Sequence, residues 1–325
     1  MVDIKNQFTV GINTLTPLDD DHIITGHKDG RISLWRYSRP KKFTHIKDYI
    51  HGNTSIISLA VYSDEKFISV NSEGEITVWE TNSERCRSMA RFPYSVYDLY
   101  EIAALSNGLL VTAGNDSPAW TAFDVLDIDL ETSLHRRNGL VHRCGCMYLR
   151  TTAEGFLLVT ASYHSDTSLW QINRSEASEI AVGNCGRLYS VAVLPTGEIV
   201  AGNHNLNFYE ISVDEKEIRH IKEIKNGNVI DVIHPVGGYK LLTIDRSRCN
   251  SNAIGLWNII EERCTLLGYS PGSDGHVLLE KLGAVFSFNE TKVVIHEFDE
   301  DIFHFPKSLA EIRKNARLLS QARRT

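Results

Sequence analysis

A short strand-like run that ends in an aromatic residue or a histidine recurs seven times along this chain of 325 residues. Each run is followed by a polar or charged residue, and the final residues are Trp35, Trp79, Phe123, Trp170, Tyr209, Trp257 and His296. Their spacings of 44, 44, 47, 39, 48 and 39 residues are typical of repeating units built from four strands. The chain is therefore predicted to be an array of seven strand-rich repeats.

The local pattern is clearest in the segments GHKDGRISLWRY (26–37) and NSEGEITVWET (71–81). An acidic residue, Asp29 or Glu73, lies six positions before the tryptophan and is followed by a glycine, which turns the chain without steric cost. After the turn, apolar and polar residues alternate as in a half-buried strand. Two further β-rich runs precede the turn, SLAVY and KFISV in the second repeat, and a looser fourth strand follows the tryptophan. Each repeat is thus predicted to contain four strands.

This pattern resembles the WD-repeat family over residues 3–300. The resemblance implies an all-β fold, a seven-bladed β-propeller. In this family a hydrogen-bond network, here called the wiring, connects four groups of each blade: a loop histidine, a Ser or Thr of the second strand, a turn acid and the tryptophan. The turn-acid positions of this chain are Asp29, Glu73, His164, Asn203, Ser251 and Glu290, with Asp116 near the equivalent place in the third repeat. His142 lies at the position expected for the loop histidine, and His51 is assigned to a position one residue away from the expected one. Packing and alternation specify blades even where this wiring is incomplete.

The propeller is expected to span residues 1–305 as one domain, with residues 306–325 as a separate tail. An open ring would leave two strand edges without partners, so the two ends of the chain should meet. Two segments compete for the outer strand of the seventh blade, KNQFTV near the amino terminus and FDEDIFHF at 298–305. The amino-terminal strand is favoured, because residues 3–10 otherwise have no place in the repeat.

Composition predicts a cytoplasmic protein with reduced thiols. A hydrophobic fraction of 42%, with 12 Phe, 12 Tyr and 5 Trp, is enough for a large core. No run approaches the roughly 18 apolar residues of a membrane helix. The start MVDIKNQFTV lacks the basic and apolar parts of a secretory signal. The six cysteines do not have the spacing of a disulfide framework.

Charge is distributed unevenly along the chain. Residues 307–325 contain six basic residues and one acidic residue, a net charge of +5, so the total of −7 leaves −12 for the rest. An acidic body argues against nucleic acid as a partner, because phosphate binding depends on clustered Lys and Arg. The tail combines Pro306, the capping-box pair Ser308 and Glu311, and apolar residues at helical intervals, namely Leu309, Ile312, Ala316 and Leu319. We expect a short C-terminal amphipathic helix that either packs on the propeller or docks a partner or an acidic membrane surface.

Candidate metal and catalytic groups are few. His142, Cys144 and Cys146, together with Cys185, are metal-type ligands, but their spacing does not match structural zinc, and Cys-x-Cys on a strand would point both thiols into the blade core. His296, at an anchor position, is interpreted as a packed core histidine. No nucleophile elbow, phosphate loop, dinucleotide fingerprint or metalloprotease helix motif occurs. The acidic runs at 19–21 and 297–301 fall at turns or strand ends, where a solvated turn is expected, so we predict no catalytic residue, metal or cofactor.

Surface recognition is the function that the sequence favours. In the WD-repeat pattern, the turns before the tryptophan strands and the loops between blades share one face, which usually docks proteins. Aromatic residues and arginines anchor interfaces, and the candidate partner-binding residues on this face are Trp120, Tyr163, His164, Arg187, Arg246, Arg248 and Asn250. The turn of the sixth repeat is expanded to IDRSRCNSNAIGLW (244–257), and the competing explanation is that such long turns are merely tolerated insertions. We expect a monomeric, non-catalytic scaffold or adaptor for one or more proteins; the alternative is a propeller that binds a small ligand such as a glycan in its central channel, with or without hydrolysis.

Overall fold

The structure, a computed structural model, describes most of residues 11–297. The residues it does not describe are 1–10, 20, 39–41, 64, 83–85, 92–97, 105–106, 116–120, 129–131, 138–143, 152–154, 163–165, 195, 213, 237–238, 247–250, 272–274, 280–283, 290–291 and 298–325. Within the described part, the regular elements are all β-strands, as expected for an all-β protein. No helix among these residues is long and apolar enough to cross a membrane.

The 27 described strands form seven consecutive antiparallel meanders, which we call repeats one to seven. Repeat one contains β1 (Ile12–Pro17), β2 (His22–His27), β3 (Arg31–Ser38) and β4 (Lys42–Ile50), and repeat two contains β5 (Ile56–Ser63), β6 (Lys66–Asn71), β7 (Glu75–Glu80) and β8 (Cys86–Arg91). Repeat three contains β9 (Asp98–Ala104), β10 (Leu109–Asn115), β11 (Thr121–Asp127) and β12 (Thr132–Arg137), and repeat four contains β13 (Cys144–Thr151), β14 (Phe156–Ser162), β15 (Asp166–Ile172) and β16 (Ala177–Asn184).

Repeat five contains β17 (Ser190–Val193), β18 (Ile199–Gly202), β19 (Asn205–Ser212) and β20 (Glu217–Lys225). Repeat six contains β21 (Val229–Pro235), β22 (Lys240–Arg246), β23 (Ser251–Asn258) and β24 (Arg263–Pro271). Repeat seven has three described strands, β25 (Gly275–Leu279), β26 (Ala284–Asn289) and β27 (Lys292–Glu297). The candidates for its fourth strand, residues 3–10 and 298–305, lie outside the described residues, as does the tail at 306–325.

Repeats four and five are joined into one eight-stranded sheet. Their outer strands β16 and β20 run parallel and pair through Val182 and Glu217. The first strands of the two repeats, β13 and β17, also contact each other. These eight strands therefore nearly close on themselves.

The third strands of repeats one and two are buried more deeply than alternation predicts. Alternating residues in RISLW and EITVW indicate a half-buried strand, yet Ser33 and Thr77 are as inaccessible as the apolar residues beside them. The reason is that both faces of each sheet pack against a neighbouring repeat. Polar residues at these positions are accommodated by hydrogen bonds instead of by water.

Apolar clusters bury each repeat against the next. Among the described residues, six clusters lie between consecutive repeats and a seventh lies between repeats seven and one. The seventh cluster places Tyr37 and Phe43 of repeat one against Phe286 of repeat seven, and the rings of Phe43 and Phe286 meet edge to face at 5.7 Å between centroids. First strands contact in order from β1 to β21, and β1 also contacts β25. The array of repeats thus returns to its own beginning.

Tryptophans of the third strands are tied to the second strands by hydrogen bonds. In repeats one, two and six the indole N–H donates to the hydroxyl of a Ser or Thr, which satisfies a polar group that would be costly to bury alone. The described pairs are Trp35 with Thr25 (3.0 Å), Trp79 with Ser69 (2.8 Å) and Trp257 with Thr243 (3.1 Å). The predicted anchor residues are therefore core residues in these three repeats.

His51 extends this wiring in repeat two. Its Nδ1 lies 2.9 Å from Ser69 Oγ and its Nε2 lies 2.8 Å from Thr77 Oγ1. Burial lowers the pKa of His51, against the opposing effect of the Glu75 carboxylate, so the neutral ring is favoured. Assigning His51 one place away from the loop-histidine position was wrong, because the histidine connects the second and third strands of its repeat.

The aromatic anchors can be tested at Trp79. Replacing Trp79 by Ala should lower the free energy of unfolding by about 3–5 kcal/mol through the cavity that it leaves. Trp79→Phe keeps most of the ring volume but loses the bond to Ser69, so it should cost less. Denaturant unfolding measures both variants, and a cost below about 1 kcal/mol for Trp79→Ala would mean that this residue is not part of the core.

Repeat four offers a second test. Trp170 Nε1 and Thr160 Oγ1 are buried and have no hydrogen-bond partner among the described residues. His142, which lies outside those residues, precedes Thr160 by 18 residues, the same separation as between His51 and Ser69. We expect His142→Ala to lower the free energy of unfolding by about 1–3 kcal/mol, since it would leave buried polar groups without partners. The exposed His204 is the control: if His142→Ala costs no more than His204→Ala, His142 has no such role.

Candidate functional site

Two of the candidate partner-binding residues, Arg187 and Arg246, lie at the same end of the strands. Second strands end there, third strands begin there, and the connections between repeats cross it; we call this end the upper face. Arg187 lies in the connection from β16 to β17, and Arg246 is the last residue of β22. The other five candidates lie outside the described residues, namely Trp120, Tyr163, His164, Arg248 and Asn250. The two described candidates therefore share the upper face of neighbouring repeats five and six.

The turn of repeat six is shorter than the sequence suggests. The segment IDRSRCNSNAIGLW reads as one expanded turn, but β22 continues to Arg246 and β23 begins at Ser251. Arg246 is consequently a strand residue, and its position is fixed by pairing with Asn252 of β23 and Val229 of β21. This register places its side chain beside the first strand of the same repeat.

Arg246 forms a two-pronged ion pair with Asp231. Arg246 Nε donates to Asp231 Oδ2 and Nη2 donates to Oδ1, both at 2.8 Å. The fork of a guanidinium matches a carboxylate in this geometry. Such a pair at the surface stabilises the fold little, about 0–1 kcal/mol, so a partner carboxylate can compete for the same guanidinium. The sequence identified the arginine but not the aspartate that holds it.

Arg187 stacks on an aromatic ring. Its guanidinium carbon lies 5.2 Å from the centre of the Tyr189 ring, a cation–π arrangement. The backbone N–H of Tyr189 donates to the Gly202 carbonyl at 2.8 Å, which fixes the ring at the edge of β18. An arginine and a tyrosine are thus presented together on the upper face of repeat five.

Asparagine side chains stabilise the turn between β18 and β19 and the connection from repeat five to repeat six. Asn203 Oδ1 accepts a bond from the N–H of Asn205 at 2.8 Å, and Asn205 Oδ1 accepts one from the N–H of Asn226 at 3.1 Å. The side chain of Asn226 then reaches repeat six, where its Nδ2 donates to Asp245 Oδ2 at 2.8 Å. The sequence signal for this network is the pair of segments GNHNLN and KNGN, because asparagine side chains stabilise tight turns; sequence reasoning did not use it.

Asp245 is the unusual group of the upper face. It is 5% exposed, and no donor among the described residues reaches its Oδ1 with hydrogen-bond geometry. Burial raises the pKa of Asp245 above its usual range; Asn226 and Thr243 oppose this effect, and the nearby Asp231 charge adds to it. A buried carboxylate oxygen that lacks a donor can accept a hydrogen bond from a ligand.

At the end of the strands opposite to the upper face, the turn between β1 and β2 places acidic residues beside a histidine. Asp19 and Asp21 each place a carboxylate oxygen 2.9 Å from His22 Nδ1, and these three residues could supply metal ligands. Arg36 Nε also lies 3.3 Å from His22 Nε2 and 3.5 Å from Asp21 Oδ2, so a cation is already present in the cluster. Asp19 Oδ1 accepts bonds from the N–H groups of Asp21 and His22, as a turn-stabilising aspartate does. The arrangement is that of a surface turn.

The cysteine cluster lies partly outside the described residues. Cys146 and Cys185 pack in one buried cluster between repeats four and five, and burial raises the pKa of Cys185. The register shifts between Cys144 and Cys146. That both thiols point into the blade core stays a prediction, because the side chain of Cys144 lies outside the described residues. His296 is half-buried, and its Nε2 is inaccessible to solvent.

The raised pKa of Asp245 makes stability depend on pH. The folded state holds this proton more tightly than the unfolded state, so stability falls as pH rises from the usual value of 3.8 through the folded pKa. Asp245→Asn cannot titrate, so we expect this variant to be at least as stable as the native chain at pH 7. We also expect the difference between the two chains to shrink below pH 4.

Chemical denaturation between pH 3.5 and 7.5 measures this effect. The control is Asp214→Asn, in an exposed turn. A loss of more than about 1 kcal/mol for Asp245→Asn at pH 7 would show that its charged form stabilises the free protein.

No protein-family model matches the chain, and no curated protein matches it significantly.

Proposed function

We propose that the chain is a non-catalytic scaffold or adaptor of the cytoplasm, a seven-bladed WD-repeat-like β-propeller whose upper face docks another protein. The fold assignment is supported by the sequential contacts of first strands and by the apolar cluster between repeats seven and one. Residues 1–305 are the propeller in this proposal, and residues 306–325 are a basic amphipathic helix.

An exposed isoleucine supports a fourth strand in repeat seven. Ile50 of β4 is 72% exposed and lies opposite Arg31, on the face of repeat one that carries Trp35 and Tyr37 toward repeat seven. A strand added to the edge of β27 would lie beside this face. We assign that strand to residues 3–10, with residues 298–305 as the competing segment.

The observation that carries the functional proposal is the fixed polar surface at repeats five and six. Asn226 bonds to Asp245, and Ser190 Oγ donates to the Ile230 carbonyl at 2.8 Å, so the two repeats are joined by side chains at the upper face. A surface that is already ordered loses little entropy on binding. It also offers the groups that interfaces use, an arginine on a tyrosine ring and an arginine–aspartate pair.

The docking surface should be tested with variants that preserve shape. Arg246→Glu would place a second carboxylate beside Asp231. The repulsion between them would destabilise the fold as well as change the surface, so a loss of binding would not report on the interface alone. Arg246→Gln combined with Arg187→Gln removes both guanidinium groups and should weaken binding of the principal partner at least tenfold, about 1.4 kcal/mol. The matched control is Arg36→Gln, at the opposite end of repeat one.

Cross-linking in cells, followed by mass spectrometry, identifies the partner, and titration with the purified partner gives the affinity of each variant. Retention of full affinity by the double variant, or an equal loss in the control, would place the interface elsewhere. A glycan array on the same proteins tests the alternative function. Binding of a glycan that the double variant loses would replace the scaffold proposal by a ligand-binding one.

A further inference from the structure

The face of repeat six toward repeat five has two exposed apolar side chains on its outer strand. Leu266 and Tyr269 of β24 are each 52% exposed. Residues directly opposite each other in antiparallel strands share a face. A row of paired residues crosses this face of the sheet. Tyr269 pairs with Ala253, and Ala253 pairs with Asp245. Asp245 pairs with Ile230. Since Ile230 is buried against repeat five, this row runs from the core between the repeats out to the exposed tyrosine.

Leu266 belongs to the next row on the same face. It lies opposite Gly255, and Gly255 lies opposite Thr243. The missing side chain at Gly255 makes room here, because a Cβ at this position would be 2.7 Å from Cys264 Sγ and 3.1 Å from Thr243 Oγ1. We call the surface formed by Leu266, Tyr269, Ala253, Asp245 and Asn226 the five–six cleft.

The chemistry of the five–six cleft changes from its outer to its inner end. The outer end is apolar, whereas the inner end holds the Asp245 carboxylate, whose Oδ1 lacks a donor among the described residues. Two strand spacings, roughly 10 Å, separate Asp245 from Tyr269. A lysine or arginine suits this combination, because its aliphatic stem packs on apolar surface while its charged end donates to a carboxylate. The cleft therefore fits a basic peptide that also carries large apolar residues.

We propose that the occupant is the chain's own C-terminal segment, residues 306–325. Residues 307–325 have a net charge of +5, against −12 for the remainder, and Leu309, Ile312 and Leu319 recur at helical intervals. In the docked segment these apolar side chains cover Leu266 and Tyr269, and one of the basic side chains donates to Asp245. This contact does not depend on the scaffold function, since both groups belong to the same chain.

The position of the last described strand permits this contact. β27 ends at Glu297 and contacts β24, where a Cβ on Gly268 would lie 3.1 Å from His296 Nδ1. The eight residues 298–305 separate Glu297 from Pro306 and span up to about 28 Å when extended. This is enough to pass from one face of the neighbouring sheet to the other, because strands in the sheet are only ~5 Å apart and sheets pack ~10 Å apart.

Photo-cross-linking in the full chain tests this proposal. A photoreactive phenylalanine replaces Tyr269, and the cross-linked monomer is digested and sequenced by mass spectrometry. We expect cross-links to residues 306–325 of the same chain, with a yield that falls several-fold in high salt because the contact is partly ionic. The matched control is the same photoreactive residue at Val182, a half-exposed position on β16. It should give no preferential cross-link to the tail.

Two variants separate the parts of the contact. Asp245→Asn should reduce the yield at least fivefold at low salt, and Ile312→Ser with Leu319→Ser should do so without touching the described fold. Cross-links from position 269 to residues 1–10, to a second copy or to another protein would each overturn the assignment of the occupant. An unchanged yield in Asp245→Asn would overturn the role of the carboxylate.

Discussion

The structure depends on the burial of both faces of every sheet. A four-stranded unit with apolar side chains on two sides cannot bury them alone, so each repeat needs a neighbour on either side. Six of these contacts join consecutive repeats, but the contact between Phe43 and Phe286 joins the beginning of the described chain to its end. Without it, repeats one and seven would each leave an apolar face in water. The remaining clusters would then belong to an open array with two exposed ends.

Closure also determines which hydrogen-bond partners the buried polar side chains have. Because Ser33 and Thr77 are enclosed, their hydroxyl groups bond to histidines within the repeat, and the tryptophan N–H groups bond to hydroxyls of the second strand. At the upper face the same enclosure leaves Asp245 with a raised pKa and without a donor at Oδ1. A ligand gains most binding energy from a buried polar atom that has no hydrogen-bond partner in the free protein. The functional proposal and the proposed tail contact therefore both involve this carboxylate.

The repeat period and the glycine turns could be predicted from the sequence because they are local. Gly30 and Gly74 have φ angles of 86° and 78°, as the predicted turns require, and Trp79 is buried as its periodic position implies. What sequence reasoning missed depends on residues that meet only in the fold. Arg246 pairs with Asp231 across two strands, and Asn226 meets Asp245 across two repeats. The buried polar position of the third strand was misread for the same reason, since alternation does not reveal a second covered face.

A double-mutant cycle between Phe43 and Phe286 tests closure most directly. Phe43→Leu and Phe286→Leu are made singly and together, and the free energy of unfolding is measured for each. We expect a coupling of about 0.5–1.5 kcal/mol between these two rings, as for other aromatic pairs in contact. The control cycle pairs Phe43 with Phe208, a core residue of repeat five, where the two losses should add within about 0.5 kcal/mol. Additive losses in both cycles would contradict the closed array of repeats.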